Sequence, residues 1–291
     1  MKKYELTNET FVLSNKTTLR RIKALRDFGD VKKGDLGGWI EKEENLSHKG
    51  DCWVYDDAKV YGNAKVYDDA KVYGDAYVYN EAMVYDKAEV YNNAEICDNA
   101  IICGNAEVFG NACVCGYACV CGEAKVYNGA DVYNNAYVYG NAKVYNNAKI
   151  YGNARVCDKA EVYGKAWIEH GKLTKDIKED LIQYIACSLC VYPVKGKYIL
   201  YKKVNKIEDG KYKALYDSNF VYEDGKIVQV KNYDTDFKSS CSSGIHCSTP
   251  FYWKRGDTLI AVEVNVKDII TCMEGKIRAK KVKVLGEVDI K

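Results

Sequence analysis

Four cysteines alternate with valine in the stretch GNACVCGYACVCGEA, at Cys113, Cys115, Cys119 and Cys121, and Cys97 and Cys103 lie one similar interval upstream. Thiols at this density are the raw material of a soft-metal site or of redox chemistry. The spacing argues against a complete zinc cage. On an extended strand, residues i and i+2 stand about 6.5 to 7 Å apart at Cα and stacked strands about 4.8 Å apart, whereas zinc requires four ligands at about 2.3 Å in a tetrahedron. Each face of a stacked structure would offer three thiols in a flat L. The expectation is therefore no bound metal and no cofactor, with cysteine standing where a larger ring does not fit.

A second concentration of chemistry is SSCSSGIHCSTPFYW, in which six Ser or Thr residues surround Gly244 and His246 and precede Phe251, Tyr252 and Trp253. Many hydroxyls beside aromatic rings suit a polar planar ligand. The candidate ligand-binding residues are Ser242, Ser243, Gly244, His246 and Tyr252, in a loop. Cys187 and Cys190 form a CxxC read as helix packing. A zinc set of Cys187, Cys190, Cys241 and His246 or Cys247 rests on no recognised spacing.

The elements that position these residues follow from a repeat. From Gly50 to Glu169 the chain reads as 20 units of six residues without insertion, such as DDAKVY and GNAKVY. The fifth position is always Val or Ile, and the third is Ala in every unit but the first, which has Cys52. Two apart on a strand, these side chains share one face, a large and a small apolar group turned to a narrow interior. The first position is always Gly, Asn or Asp, residues that tolerate a left-handed backbone, so a corner recurs at every hexad. A helical period of 3.6 does not accommodate this pattern.

The unit resembles the hexapeptide repeat of the left-handed parallel β-helix, in which three hexads make one triangular coil. The resemblance implies six to seven coils over Gly50–Glu169. Outward positions four and six then form ladders. One carries Tyr55, Tyr73, Tyr91, Phe109, Tyr127, Tyr145 and Tyr163; another carries Tyr61, Tyr79, Cys97, Cys115, Tyr133 and Tyr151. The third face bears Tyr67, Met83, Tyr85, Ile101, Cys103, Cys119, Cys121, Tyr137 and Tyr139, apolar at both positions in its middle coils. These are the candidate interface residues, facing another subunit or the C-terminal domain.

Acyltransferases built on this prism typically add a catalytic histidine and a loop that interrupts the coils. Here the array holds no histidine; His48 precedes it, and His170 and His246 follow it. Catalysis on the prism is therefore not the favoured expectation.

Residues 1–49 read as an N-terminal β cap and lead-in coil, with a turn at Gly37 and Gly38. This segment with the GNAKVY array resembles proteins of phages and prophages. After residues 170–192, a linker and helix with Thr174 as N-cap and Ile177, Leu181, Ile185 and Leu189 on one stripe, residues 193–291 read as a small α+β domain with an Asp224–Gly225 turn. Its loop and the following TLIAVEVNV resemble a domain of phage and bacterial proteins with a Gly-Ile/Leu-His motif. More distantly, they are similar to the Gly-Ile-Tyr motif of ADP-ribosyltransferases. That likeness implies a late catalytic Glu, for which Glu287, after the basic GKIRAKKVKV, is the candidate.

With 43 Lys+Arg against 41 Asp+Glu and no basic block, nucleic acid is not an expected partner. The chain has neither a bilayer-length apolar run nor an N-terminal apolar segment, so a cytoplasmic protein without membrane contact is expected. The reading is mainly β: a left-handed β-helix followed by a small α+β domain. It is taken as a non-catalytic binding or assembly protein of phage or prophage origin that engages a bacterial host protein, a defence component among the candidates, through the Tyr-rich prism, the C-terminal domain or both, with a dimer or trimer as a further expectation. Nucleotide binding or ADP-ribosyl transfer in the C-terminal domain is the alternative, and acyl transfer the third reading.

Overall fold

The computed structural model describes residues 2–217 and 219–290. Each hexad places its first residue at a corner, and all 20 such residues have φ between 51° and 72°. Ten of them are Asn or Asp rather than Gly, the L-residues that best bear this conformation. Between corners run short strands that pair in parallel with those three hexads on, as Glu89 does with Glu107 and Glu107 with Lys125. Three hexads therefore close one coil. Val or Ile at position five and Ala at position three are at most 1 % exposed throughout, so the interior is filled by one large and one small side chain per strand.

The result is a parallel β-helix of about eight turns. The hexads alone supply six to seven coils. The structure adds a lead-in coil, where Trp39 and Ile40 pair with Lys59 and Val60 and Leu46 bridges to Val66. It also adds Lys172–Leu173, which pairs with Arg155–Val156 beyond the last hexad.

Outside, rings stack at the spacing of the strands. Tyr73, Tyr91, Phe109, Tyr127 and Tyr145 form consecutive parallel pairs with centroids 4.7 to 5.0 Å apart. Such pairs contribute about 1 kcal/mol each beyond the area they bury. Hydroxyls of this ladder reach carboxylates of the next coil, Tyr73 donating to Glu89 at 2.9 Å and Tyr91 to Glu107 at 3.1 Å.

The N-terminal strands Tyr4–Val12 and Thr18–Ala24 form an antiparallel pair that joins Leu36–Ile40. Gly37 and Gly38 are not a turn as expected but sit inside that last strand. An added Cβ would lie 2.5 Å from the Val54 carbonyl oxygen at Gly37 and 2.6 Å from that of Ala58 at Gly38, so these glycines serve close backbone approach. Lys3 is fully buried, its ammonium donating to the carbonyl of Cys52 at 2.7 Å and to its Sγ at 3.2 Å. This contact accounts for the single hexad whose third position is not alanine.

The chain divides into two compact units, Met1–Tyr163 with Gly171–Asp176, and Gly164–His170 with Ile177–Lys291. The second is small and sheet-rich. Its helix spans Leu181–Leu189 with Asp180 as N-cap, the Asp180 carboxylate accepting from the Gln183 amide at 3.1 Å. It thus starts later than the expected cap at Thr174, and Ile177 is buried ahead of it. A six-stranded antiparallel sheet runs in the order Val221–Glu223, Lys211–Lys213, Lys197–Glu208, Thr258–Asn265, Lys281–Glu287, Ile227–Gln229. Its two edge strands are consecutive in sequence. Laid flat, six strands would separate the edges by about 24 Å at 4.8 Å per step, more than the roughly 15 Å that the Asp224–Lys226 connection can span. The sheet therefore curls back toward itself, and Asp224–Gly225 joins its two edges rather than closing a hairpin.

Candidate functional site

In the second unit, a three-stranded antiparallel sheet is made by Ile269–Met273, Lys276–Ala279 and Ile245–Cys247. The first two strands are joined at Glu274 and Gly275, with φ of 51° and 71°, the pair of positive values that a tight hairpin requires. His246, expected in the loop, lies on the third strand directly opposite Arg278. Strand alternation turns Lys276 to the same face.

The segment 232–243 runs over that face. Thr271 donates to the Phe237 carbonyl at 2.9 Å, Arg278 donates to the Asp236 carbonyl, and Arg278 pairs with the Asp234 carboxylate at 3.6 Å. The serines expected to bind a ligand instead tie this segment to itself. Ser242 donates to the Asp234 carboxylate, Ser243 donates to the Asn232 carbonyl, and the Asp234 amide donates to the Ser243 carbonyl at 3.0 Å. The Ser242 hydroxyl, with the Asp236 amide, holds the Asp234 carboxyl below its ordinary value. Gly244 is a packing requirement, since a Cβ there would lie 2.6 Å from Cγ of the buried Arg278.

His246 keeps the character of a site residue. Burial first, and then the charges of Lys202, Lys276 and Arg278, push its imidazole down to about 4. Its Nε2 is buried and finds no hydrogen-bond partner among the described residues. The Lys202 ammonium donates to the His246 carbonyl at 3.0 Å and lies 5.4 Å from the Trp253 ring centre. Lys276 reaches the Tyr252 hydroxyl at 3.4 Å, Glu274 at 3.4 Å and the Cys241 thiol at 3.2 Å. Burial works against ionisation of Cys241, but the Lys276 ammonium overrides it and holds the thiol below its ordinary value. The arrangement is a cationic face suited to an anion. A histidine that protonates only near pH 4 is a weak base for proton transfer at neutral pH.

Of the ligand-binding candidates, then, His246 and Tyr252 converge on this face, whereas Ser242, Ser243 and Gly244 build its cover. Lys276, Arg278 and Lys202 escaped the sequence reading, and Cys241 entered it only as a member of the zinc set. The alternation Lys276-Ile277-Arg278 was the available signal. Glu287 belongs to the six-stranded sheet, with its carboxylate paired to Lys206 at 2.9 Å. Cys187, Cys190, Cys241 and His246 or Cys247 do not form a metal-holding group among the described residues.

On the β-helix the interface candidates all stand on the third face. Tyr67 and Tyr85 stack at 4.8 Å, Met83 pairs in register with Ile101, Ile101 with Cys119, and Cys119 with Tyr137. Tyr139 stands two positions beyond Tyr137, and Cys103 and Cys121 two beyond Ile101 and Cys119, at the sixth hexad positions. All are half-buried except Tyr137, which is exposed. The three faces differ in charge. The first carries Lys125–Glu107 and Lys143–Glu161 ion pairs at 2.6 and 2.9 Å, and the second carries Lys149–Asp131 at 3.5 Å. The outward strand positions of the third face, from Lys65 to Cys157, contain no carboxylate at all.

Comparison with known proteins gives two partial likenesses. Residues 201–252 match the model of a family of unknown function, DUF5758. That match ends at Tyr252, so it includes His246 but not Lys276 or Arg278. The chain is also 41 % identical over 63 residues, 19 % of its length, to an uncharacterized acetyltransferase, YdcK, of Escherichia coli strain K12. It spans about a fifth of that protein, 19 % of its length, and the likeness fits a hexapeptide-repeat chain.

Proposed function

We propose that this chain is a non-catalytic binding protein whose β-helix presents its third face to another protein. The observation that carries the reading is the charge pattern. Ion pairs cross the other two faces, whereas the third offers Met83, Ile101, Tyr137 and the stacked Tyr67 and Tyr85 with no acid among its outward strand positions. An apolar stripe of this extent marks an interface, and tyrosine serves interfaces because its amphipathic ring has little entropy to lose.

The partner is a different protein rather than a second copy. The stripe ends in Lys65 at one side and Arg155 at the other. Two copies joined side by side would set Arg155 against Arg155, with Glu43 and Glu44 away at the Lys65 end of the face. A flat apolar surface flanked by carboxylates fits instead. The resemblance of the array and the N-terminal segment to phage and prophage proteins, together with Gly244-Ile245-His246, supports a partner in a bacterial host and its capture in the host cytoplasm. The similarity to an acetyltransferase is accommodated by the repeat itself, since the array here has no histidine and runs without interruption.

The test compares capture of partner from bacterial lysate by the intact chain and by Met83→Glu/Ile101→Glu. Each buried carboxylate would face an apolar surface, so the double variant is expected to lose capture by at least a hundredfold while its melting temperature stays within a few degrees. A control, Lys71→Glu on the first face, is expected to capture normally. Equal capture by all three proteins, or a wild-type chain that is a stable dimer dissociated by the double variant, would refute the assignment.

A further inference from the structure

The two groups of cysteines in the middle of the β-helix come closer together than their backbone spacing suggests. On the third face, the Sγ atoms of Cys103, Cys119 and Cys121 all lie within 4.8 Å of one another. On the second face, the Sγ atoms of Cys97 and Cys115 and a carboxylate oxygen of Asp98 satisfy the same limit. Cys97 and Cys115 stand one hexad before Cys103 and Cys121, so a stacked pair of thiols recurs on both faces, joined by Cys119 on the third face and by Asp98 on the second.

The flat L drawn from Cα positions is not the arrangement of the sulfurs. In Cys103–Cys119–Cys121 two thiols come from the sixth position of stacked coils and one from the fourth position of the upper coil, and their side chains converge. Three thiolates at about 2.3 Å from one ion stand about 4.0 Å apart in a trigonal plane and about 3.8 Å apart in a tetrahedron. Bringing sulfurs from within 4.8 Å to that separation needs less than about 1 Å of movement, which cysteine side chains on a rigid backbone provide by small χ1 adjustments. Coils held above and below by parallel pairing make the framework pre-organised.

We propose that the β-helix carries two thiolate sites for a soft d10 cation, copper(I) or zinc: the trithiolate Cys103–Cys119–Cys121, and the mixed set Cys97–Cys115–Asp98. The donor chemistry selects the class, because thiolate sulfur favours soft and borderline ions over magnesium or calcium. Donor number separates the sites. Cys103–Cys119–Cys121 offers sulfur alone, the trigonal set that copper(I) accepts. Cys97 and Cys115 with Asp98 offer two sulfurs and an oxygen, a mixed set that zinc accepts. The sites do not depend on the third face being a docking surface.

The experiment is an anaerobic titration of the reduced full-length chain with zinc and, separately, copper(I), followed by desalting against a competing chelator and elemental analysis. Two retained equivalents per chain are expected. Cys119→Ser should retain one, Cys115→Ser one, and the double variant none, with at least a tenfold weaker affinity at each altered site. Cys241→Ser should keep both. Melting curves of the metal-free variants report on folding, and a serine in these half-buried positions is expected to leave them near wild type. A variant that unfolds is replaced by the alanine form, read in the same assay. No ion retained by the wild type, two ions retained by the double variant, or a loss in Cys241→Ser would overturn the proposal.

Discussion

Val108→Asp is expected to unfold the central coils of the β-helix, at a cost above about 4 kcal/mol, the range reserved for an unpaired charge forced into a core. Val108 is fully buried and stacked in register between Val90 and Val126. Its surroundings in the hollow are the valines and alanines of the neighbouring hexads, which carry no side-chain donor. The backbone amides of those coils are committed to carbonyls of the next coil, as Lys71 N–H is to Ala88 and Glu89 N–H is to Ala106, both at 2.9 Å. A carboxylate at position 108 therefore has no partner to accept from. Val108→Ala removes only apolar volume and should cost about 2 kcal/mol. Because each coil contacts only its neighbours, the charged variant should also lower the cooperativity of unfolding, splitting the helix at the altered coil. Urea denaturation followed by circular dichroism measures both. A Val108→Asp chain as stable as wild type would mean that this side chain does not face the interior.

Gly116→Val is the second large effect, expected near about 3 kcal/mol. Gly116 sits at a corner with φ of 71°, and a Cβ there would lie 2.8 Å from the amide nitrogen of Asn134 and 3.1 Å from its Cα. Both obstacles are backbone, so relief requires the stack to shift. A β-branched residue also resists the left-handed conformation itself. Gly116→Asn meets the same backbone obstacle but should cost about 1 kcal/mol less, because asparagine bears the left-handed conformation, as Asn134 does at the same corner one coil on with φ of 59°. Thermal unfolding of the two variants side by side gives the contrast. Equal losses would show that the corner does not discriminate by backbone conformation.

The parts of this structure written in short-range pattern were readable without coordinates. A corner residue, a small apolar residue and a β-branched residue at fixed offsets determine a coil, and 20 repetitions leave little freedom. The ladders of Tyr73, Tyr91, Phe109 and Tyr127 follow from that period alone. Features that depend on long-range contact were not readable. Lys3 meets Cys52 across 49 residues, and only that meeting explains the odd hexad. Asp180 rather than Thr174 caps the helix, and Ile177 is buried ahead of it. In the second unit, His246, Lys276 and Arg278 come together through the pairing of strands distant in sequence, and the serines that looked available are consumed by their own segment. Sulfur positions were misjudged for a related reason. Backbone spacing sets where Cα atoms stand, while the convergence of Cys103, Cys119 and Cys121 belongs to their side chains.

The whole arrangement rests on coils that close after three hexads with tyrosines outside, and the most direct measurement is a map of dityrosine links. After alkylation of the thiols, brief photo-oxidation couples phenol rings that already touch. Stacked rings in this protein are three hexads apart in sequence, Tyr61 with Tyr79 at 5.0 Å, Tyr67 with Tyr85 at 4.8 Å and Tyr133 with Tyr151 at 5.2 Å. Mass spectrometry of the digested chain should find links between such pairs. Links that instead join tyrosines one or two hexads apart, or an array that yields none because its rings point to the axis, would contradict the structure described above and the face assignments drawn from it.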